Sequence, residues 1–179
     1  MALSIRLAVM EDVPALQELI AESVRTLSLP YYSEREINSA LLHVFGVDRQ
    51  LIHDTTYFVA EIEGQLVGCG GWSKRRTLFG GDQAESVRFD ELLNPETDAA
   101  RVRAFYVHPQ WSRQGIGRQI LQACEEAAYE SGFTTLELIA TLPGEPLYSA
   151  HGYERIEPFD IQLPEGHSLA AFHMKKRLE

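Results

Sequence analysis

Cysteine is scarce in this 179-residue sequence. Cys69 and Cys124 are its only two, too few for a disulfide framework and without metal-ligand spacing. No apolar run approaches the roughly 20 residues of a membrane-spanning helix, and Met1 to Arg6 lacks a secretory-signal pattern. A reducing, cytoplasmic setting without membrane contact is the expectation. Basic residues are also in short supply: 16 Lys and Arg against 26 Asp and Glu give a net charge of −10. A nucleic-acid surface needs a net basic face, so that class of partner is excluded. Internal repeats, low-complexity tracts and linkers are missing as well. The length then suits one domain over residues 1–179, with its core in 4–178.

What is present reads as mixed α/β. Ile5, Leu7 and Val9 alternate as a first strand. Asp12 and Pro14 open a helix with Val13, Leu16, Ile20 and Val24 on one face. Ser33 and Glu36 have capping-box spacing ahead of Ile37, Leu41 and Val44. Before them, Tyr31 and Tyr32 suit either a pocket wall or a helix-start packing contact. Thr56–Ile62 and Gln65–Trp72 form strands joined by a tight turn at Glu63-Gly64. Gly68, Gly70 and Gly71 weaken the second strand and imply a bulge or a close approach. Lys74-Arg75-Arg76 suits a solvated strand end, or more sharply a ligand phosphate. The connector over 78–99 is long for one domain, as a flap, a helical insert or a mobile loop would be.

The most informative stretch runs from Val102 to Leu121. A strand stops at His108-Pro109, a loop carries Arg113, Gln114, Gly115, Ile116, Gly117 and Arg118, and a helix follows. A helix start offers unpaired N–H groups and the positive end of the macrodipole, which suits an anion such as pyrophosphate. Gly115 and Gly117 clear side chains from those amides, and the two arginines add charge. The helix ends at Ser131-Gly132, and Thr134–Ala140 is the next strand, so strand, helix and strand predict a parallel crossover. A short helix over Leu147–His151 and a terminal strand pair close the chain.

Two segments together resemble the GNAT superfamily of acetyl-CoA-dependent N-acyltransferases. Val102–Leu121 is similar to its strand, Arg/Gln-x-x-Gly-x-Gly/Ala loop and helix, although Ser112 stands at the loop's first position with Arg113 one place later. Leu147-Tyr148-Ser149-Ala150-His151-Gly152-Tyr153 is similar to its aromatic-Tyr-x-x-x-Gly-aromatic motif, with Leu147 at the first aromatic place. Gly117 and Tyr148 lie 31 positions apart with the expected strand between them.

The resemblance implies a central, mostly antiparallel twisted sheet with one parallel strand-helix-strand crossover and helices on both faces. It implies acetyl-CoA as co-substrate, no metal, and a small-molecule or peptide amine as acceptor. The strand backbone at Phe105, Tyr106 and Val107 would face the pantetheine arm, and Arg113 to Arg118 would hold the pyrophosphate. Tyr148 would be the general acid that protonates the departing thiolate. A phenol suits that task because it is neutral at pH 7 and can donate.

Rival readings of the loop fit less well. A dinucleotide fingerprint needs glycines directly after the strand, whereas seven residues separate Val107 from Gly115. A P-loop needs a Gly-Lys-Ser/Thr that is missing. The alternative function is a non-catalytic acyl-CoA sensor or interaction module of the same fold. Glu61, His108, Glu137 and His151 are arguable bases without one standing out. His43, His53, His167 and His173 show no metal-like spacing. Both a monomer and a homodimer are compatible with the terminal strand pair.

Overall fold

The computed structural model describes residues 2–179. Its elements in chain order are β1 (Leu3–Leu7), α1 (Val13–Leu27), α2 (Glu34–His43), α3 (Arg49–His53), β2 (Tyr57–Ile62), β3 (Gln65–Ser73), β4 (Ala100–Val107), α4 (Ile116–Glu130), β5 (Thr135–Thr141), α5 (Glu145–Ala150), β6 (Glu154–Gln162) and β7 (Ser168–Arg177). The seven strands form one sheet in the order β1-β2-β3-β4-β5-β7-β6. Among the described residues, only β4 and β5 run parallel. That is the mixed, mostly antiparallel sheet with a single crossover expected from the sequence.

Two apolar cores lie on opposite faces of the sheet. Leu16, Ile20, Ile37 and Leu51 from α1 to α3 pack on Tyr57, Val59 and Cys69. On the other face Ile116, Ile120 and Cys124 of α4 pack on Val67, Val102 and Leu138. Alternation along β5 buries Leu136, Leu138 and Ala140 toward α4 and turns Glu137 and Ile139 the opposite way. No helix among the described residues is long and apolar enough to cross a membrane.

Local signals produce the expected joints. Glu63 (φ 51°) and Gly64 (φ 81°) make the two-residue turn between β2 and β3. Ser33 caps α2 as a capping box: the Glu36 N–H donates to Ser33 Oγ at 3.1 Å and the Ser33 N–H to Glu36 Oε1 at 2.8 Å. Asp12 behaves differently from the expected cap. Its carboxylate makes no cap to α1; it accepts the Val9 N–H at 2.8 Å and both Arg6 terminal nitrogens at 2.8 Å. A bidentate guanidinium outcompetes a single amide donor.

Two acidic groups tie this architecture to pH. The hydrogen bonds from Arg6 hold the Asp12 carboxyl below its ordinary range against the cost of burial. Burial raises the Asp54 carboxyl, but hydrogen bonding and charge from Arg75 outweigh it and leave the net shift downward. A depressed folded pKa contributes stability that is complete above the unfolded value near ~3.9 and lost as pH falls through the folded value. Chemical denaturation between pH 6 and pH 2 should therefore show stability falling mainly below pH 4. Arg6→Ala should flatten part of that fall, and an identical pH dependence would sink the assignment.

Candidate active site

The site begins where β4 and β5 part. Their parallel pairing is limited to Ala100↔Leu136 and Arg101↔Glu137, although β4 continues to Val107 and β5 to Thr141. The cause lies in β4. Ala104 has φ 58°, and the β3–β4 register slips between Cys69 and Gly71, so β4 carries a bulge there. Gly70 is required opposite it, because a Cβ on Gly70 would lie 2.5 Å from the Phe105 ring. The fully buried Tyr57 hydroxyl donates to the Ala104 carbonyl at 3.1 Å and holds the kink. Phe105 then packs toward α4, while Tyr106 turns to the other face against Phe45, with ring centroids 6.4 Å apart.

Past Val107 the chain enters a 3-10 turn at Pro109–Trp111 and then the loop. The Ser112 N–H bonds Pro109 O at 3.3 Å, and the next backbone N–H with a partner is Gln119, on Gly115 O at 3.2 Å. The six amides from Arg113 to Arg118 between them have no acceptor among the described residues. Arg113 (φ 60°) and Gly115 (φ 84°) are both left-handed, the kind of backbone alternation that in general lets successive N–H groups at a helix start converge on an anion. The Arg113 and Arg118 side chains are exposed and carry no ion pair among the described residues. The two glycines divide the work. A Cβ on Gly115 would meet nothing within 4 Å, so its need is conformational. A Cβ on Gly117 would lie 3.1 Å from Leu147 Cδ2, so its need is the close seat of α5 on α4.

That seat carries Tyr148. Its ring is buried between Phe105 and Tyr153 in two edge-on contacts, with centroids 6.1 Å and 5.6 Å away. Burial pushes the Tyr148 phenol well above its ordinary value, with the nearby Cys124 adding to the shift. The phenol is therefore a neutral donor across the physiological range. Tyr148 and the glycine loop flank the parted strands through Phe105 and Leu147.

On the opposite face, beside α1 to α3, part of the 78–99 connector adds Phe79 to the core. Its base is pinned like a hairpin: the Leu93 N–H reaches Lys74 O at 2.7 Å and the Thr77 N–H reaches Phe89 O at 2.9 Å. Phe79 stands on Phe159 of β6, with centroids 5.5 Å apart. Arg88 and Arg103 both pair with the fully buried Asp48, at 3.2 Å and 2.8 Å. Arg75, central in the basic cluster, forks onto Asp54 at 2.7 and 2.9 Å and serves the fold instead of a phosphate. The glycines of β3 likewise accommodate packing: Gly68 faces Ile116, and Gly71 faces Tyr57.

Two cavities border this face. One of about 700 Å³ lies between α1 and α2, with Ile20, Arg25, Leu41 and Phe45 in its wall. A second, open to solvent and of about 380 Å³, is lined by Arg76, Leu78, Phe79, Val87, Phe89 and Arg101. Neither contains Tyr148 or the loop amides, which lie along the strand opening and the open start of α4. The two tyrosines before α2 separate: Tyr31 is exposed, while the buried Tyr32 hydroxyl donates to Ala170 O at 2.7 Å and accepts the Leu142 N–H at 2.9 Å. Tyr32 is thus a tie between β7 and the residue that follows β5, a role that local sequence does not signal.

The arguable bases fall in different places. Glu61 is held by Arg6 at 2.5 Å near the β1 edge. The His108 Nδ1 accepts the Gln110 N–H at 3.2 Å, and Glu22 lies 3.9 Å from its Nε2. His151 closes the end of α5. Glu137 pairs with Arg101, also at the end of the β4–β5 pairing, and with His173 at 2.8 Å.

Comparison with known proteins bears on the same region. Residues 53–155, more than half of the chain, match the model of the acetyltransferase (GNAT) domain family. No curated protein sequence matches significantly. Among solved structures, a GCN5-related N-acetyltransferase from Rhodopseudomonas palustris has a TM-score of 0.71 at 20% identity over 99% of each chain. The PaiA N-acetyltransferase from Thermoplasma acidophilum, in complex with coenzyme A, has 0.66 at 17% over 99% of each chain. The ribosomal-protein-alanine N-acetyltransferase from Brucella melitensis has 0.64 at 23%, covering 98% of this chain and 99% of that one. At these identities the likeness is one of fold.

Proposed function

We propose, from the premise that the chain belongs to the GNAT acetyltransferase family, that it acetylates a primary amine of a small molecule or peptide by direct attack within a ternary complex. Acetyl-CoA-dependent acetyl transfer is the reaction of that family. The amine acceptor and the residue roles below are our reading.

The observation that carries this reading is the run of six unpartnered amides over Arg113–Arg118 beside the opening between β4 and β5. Acetyl-CoA supplies the acyl group as an activated thioester. The amides of Arg113, Gln114, Gly115, Ile116, Gly117 and Arg118 hold its pyrophosphate, with the two exposed arginines adding charge. The β4 backbone at Phe105, Tyr106 and Val107 faces the pantetheine arm where β5 no longer pairs with it. Tyr148 directs its neutral phenol to the sulfur, donating as negative charge develops there. The packing of Tyr148 against Phe105 ties the acid to the same strand that binds the donor.

The deciding experiment is an amine panel with free thiol release as readout, covering polyamines, amino sugars, amino acids and peptide N-termini. Turnover with a subset of amines supports the proposal. Acetyl-CoA binding without thiol release on any amine would favour the sensor of the same fold. The cradle has its own test. Gly117→Val places side-chain atoms against Leu147 and beside the loop amides, and should weaken coenzyme A binding at least ~10-fold by calorimetry. An unchanged affinity in a folded variant would move the pyrophosphate elsewhere.

A further inference from the structure

Ala104 stands where glycine is ordinarily needed. In the β3–β4 register Cys69 pairs with Tyr106 and Gly71 with Arg103, so Ala104 and Phe105 together oppose Gly70 alone. In the bulge class whose first residue is left-handed, that residue is characteristically glycine. Ala104 takes the position with φ 58° and a Cβ that disfavours it. The conformation therefore needs support from outside β4. The Tyr57 hydroxyl of β2, two strands away, supplies it by donating to the Ala104 carbonyl at 3.1 Å. The Cys69 sulfur lies 3.2 Å from the same phenol oxygen and 3.8 Å from the same carbonyl. Tyr57 and Cys69 are fully buried, and burial pushes both pKa values up, so both keep their protons.

The bulge sets which way β4 faces beyond it. Ala100 and Val102 pack toward α4, while Arg101 and Arg103 turn the other way onto Glu137 and Asp48. Unbroken alternation would send Ala104 toward α4 and Phe105 away from it. The extra residue reverses this: Ala104 and Tyr106 join the core beside α1 to α3, and Phe105 and Val107 join the core beside α4. Phe105 reaches Tyr148, with ring centroids 6.1 Å apart, only after that reversal. Loss of the bulge would turn Phe105 away from Tyr148 and change which backbone groups of β4 face the opening.

We infer that Tyr57 is a positioning residue for acetyl transfer. Its hydroxyl holds Ala104 in the left-handed conformation, which fixes the β4 edge that faces the pantetheine arm and the seat of Phe105 against Tyr148. This rests on the donor binding along β4 proposed above. Being fully buried, Tyr57 acts through the Ala104 carbonyl and not on substrate. Alanine and tyrosine work as a pair, and Ala104→Gly would make the hydroxyl dispensable.

The test is a double-variant cycle on the full chain, read by calorimetric titration with coenzyme A. Tyr57→Phe keeps the buried ring and removes only the hydroxyl. It should weaken coenzyme A binding roughly 10-fold. The same substitution in an Ala104→Gly background should change affinity by less than about twofold, because glycine reaches the left-handed angle unaided. A ligand-free readout follows the bulge itself. Nuclear Overhauser contacts between the Phe105 and Tyr148 rings should be present in the wild type, weakened in Tyr57→Phe and regained in the double variant. A folded Tyr57→Phe with wild-type affinity and intact ring contacts overturns the inference. Equal losses in the two backgrounds overturn it as well, since a merely structural role for the hydroxyl would not respond to Ala104→Gly. If Tyr57→Phe alone does not fold, the double variant decides: it should fold and bind as Ala104→Gly does, and failure to bind overturns the inference. A wild-type protein that keeps the ring contacts but binds no coenzyme A would sink the proposed function, and the inference with it.

Discussion

Replacing Tyr148 with phenylalanine should lower kcat roughly 10²–10⁴-fold, the span expected when a general acid is lost. Acetyl-CoA affinity should stay within about twofold, because uniform binding energy is untouched when only transition-state donation is removed. The structure makes this a clean substitution. The Tyr148 ring is fixed by its edges against Phe105 and Tyr153, and phenylalanine keeps both contacts. The burial that holds the phenol neutral also strengthens the hydrogen bond it would give to developing negative charge. Single-turnover thiol release separates chemistry from product release. A variant with wild-type single-turnover rate would remove Tyr148 from the chemical step and leave it as packing for α5.

Asp48→Ala should cost about 3–5 kcal/mol of stability, since breaking a buried pair strands the remaining charge. Asp48 is fully buried and lies against Arg103, itself almost wholly buried, and against Arg88. Arg103 depends heavily on this partner. Among the described residues its Nε has no acceptor, and its Nη2 lies 2.8 Å from Asp48 Oδ2 without pointing an N–H along that line. The short distance matters more than the angle for a charge pair, so we treat the contact as an ion pair with poor hydrogen-bond alignment. Burial lowers the Arg103 pKa while Asp48 opposes the shift, the signature of a cation that pays for its position through one anion. Urea denaturation of Asp48→Ala should show a large drop in midpoint with little change in slope. Arg88→Ala should lose much less, because Arg103 still neutralises Asp48. Equal losses for the two variants would mean that the connector, not the buried pair, carries the stability.

The pair also explains how the 78–99 connector is held. Arg88 belongs to it, Asp48 precedes α3, and Arg103 adjoins the β4 bulge. One buried carboxylate therefore ties the connector to the strand that kinks beside the site. Its position before α3 resembles a helix cap, yet the side chain makes no cap. As with Asp12 and Arg6, guanidinium groups brought from elsewhere take the carboxylate first.

The sequence by itself determined what depends on neighbours within a few residues. The Glu63-Gly64 turn, the Ser33 capping box, the α4 stripe and the loop before α4 follow from local dihedral preference, capping and periodicity. Those same signals located the loop that offers its amides, because a glycine-bearing helix start is a local object. Tertiary structure alone decided which strands meet and which distant charges pair. It seated β7, not β6, beside β5, and so brought His173 to Glu137. It limited β4–β5 pairing to two residue pairs and opened the strands at the Ala104 bulge. It assigned Gly70 to Phe105, Gly117 to Leu147, and Tyr32 to Ala170 and Leu142. Strand order and ion pairing are settled by packing across the whole sheet, where partners dozens of residues apart compete, and no local spacing records the winner.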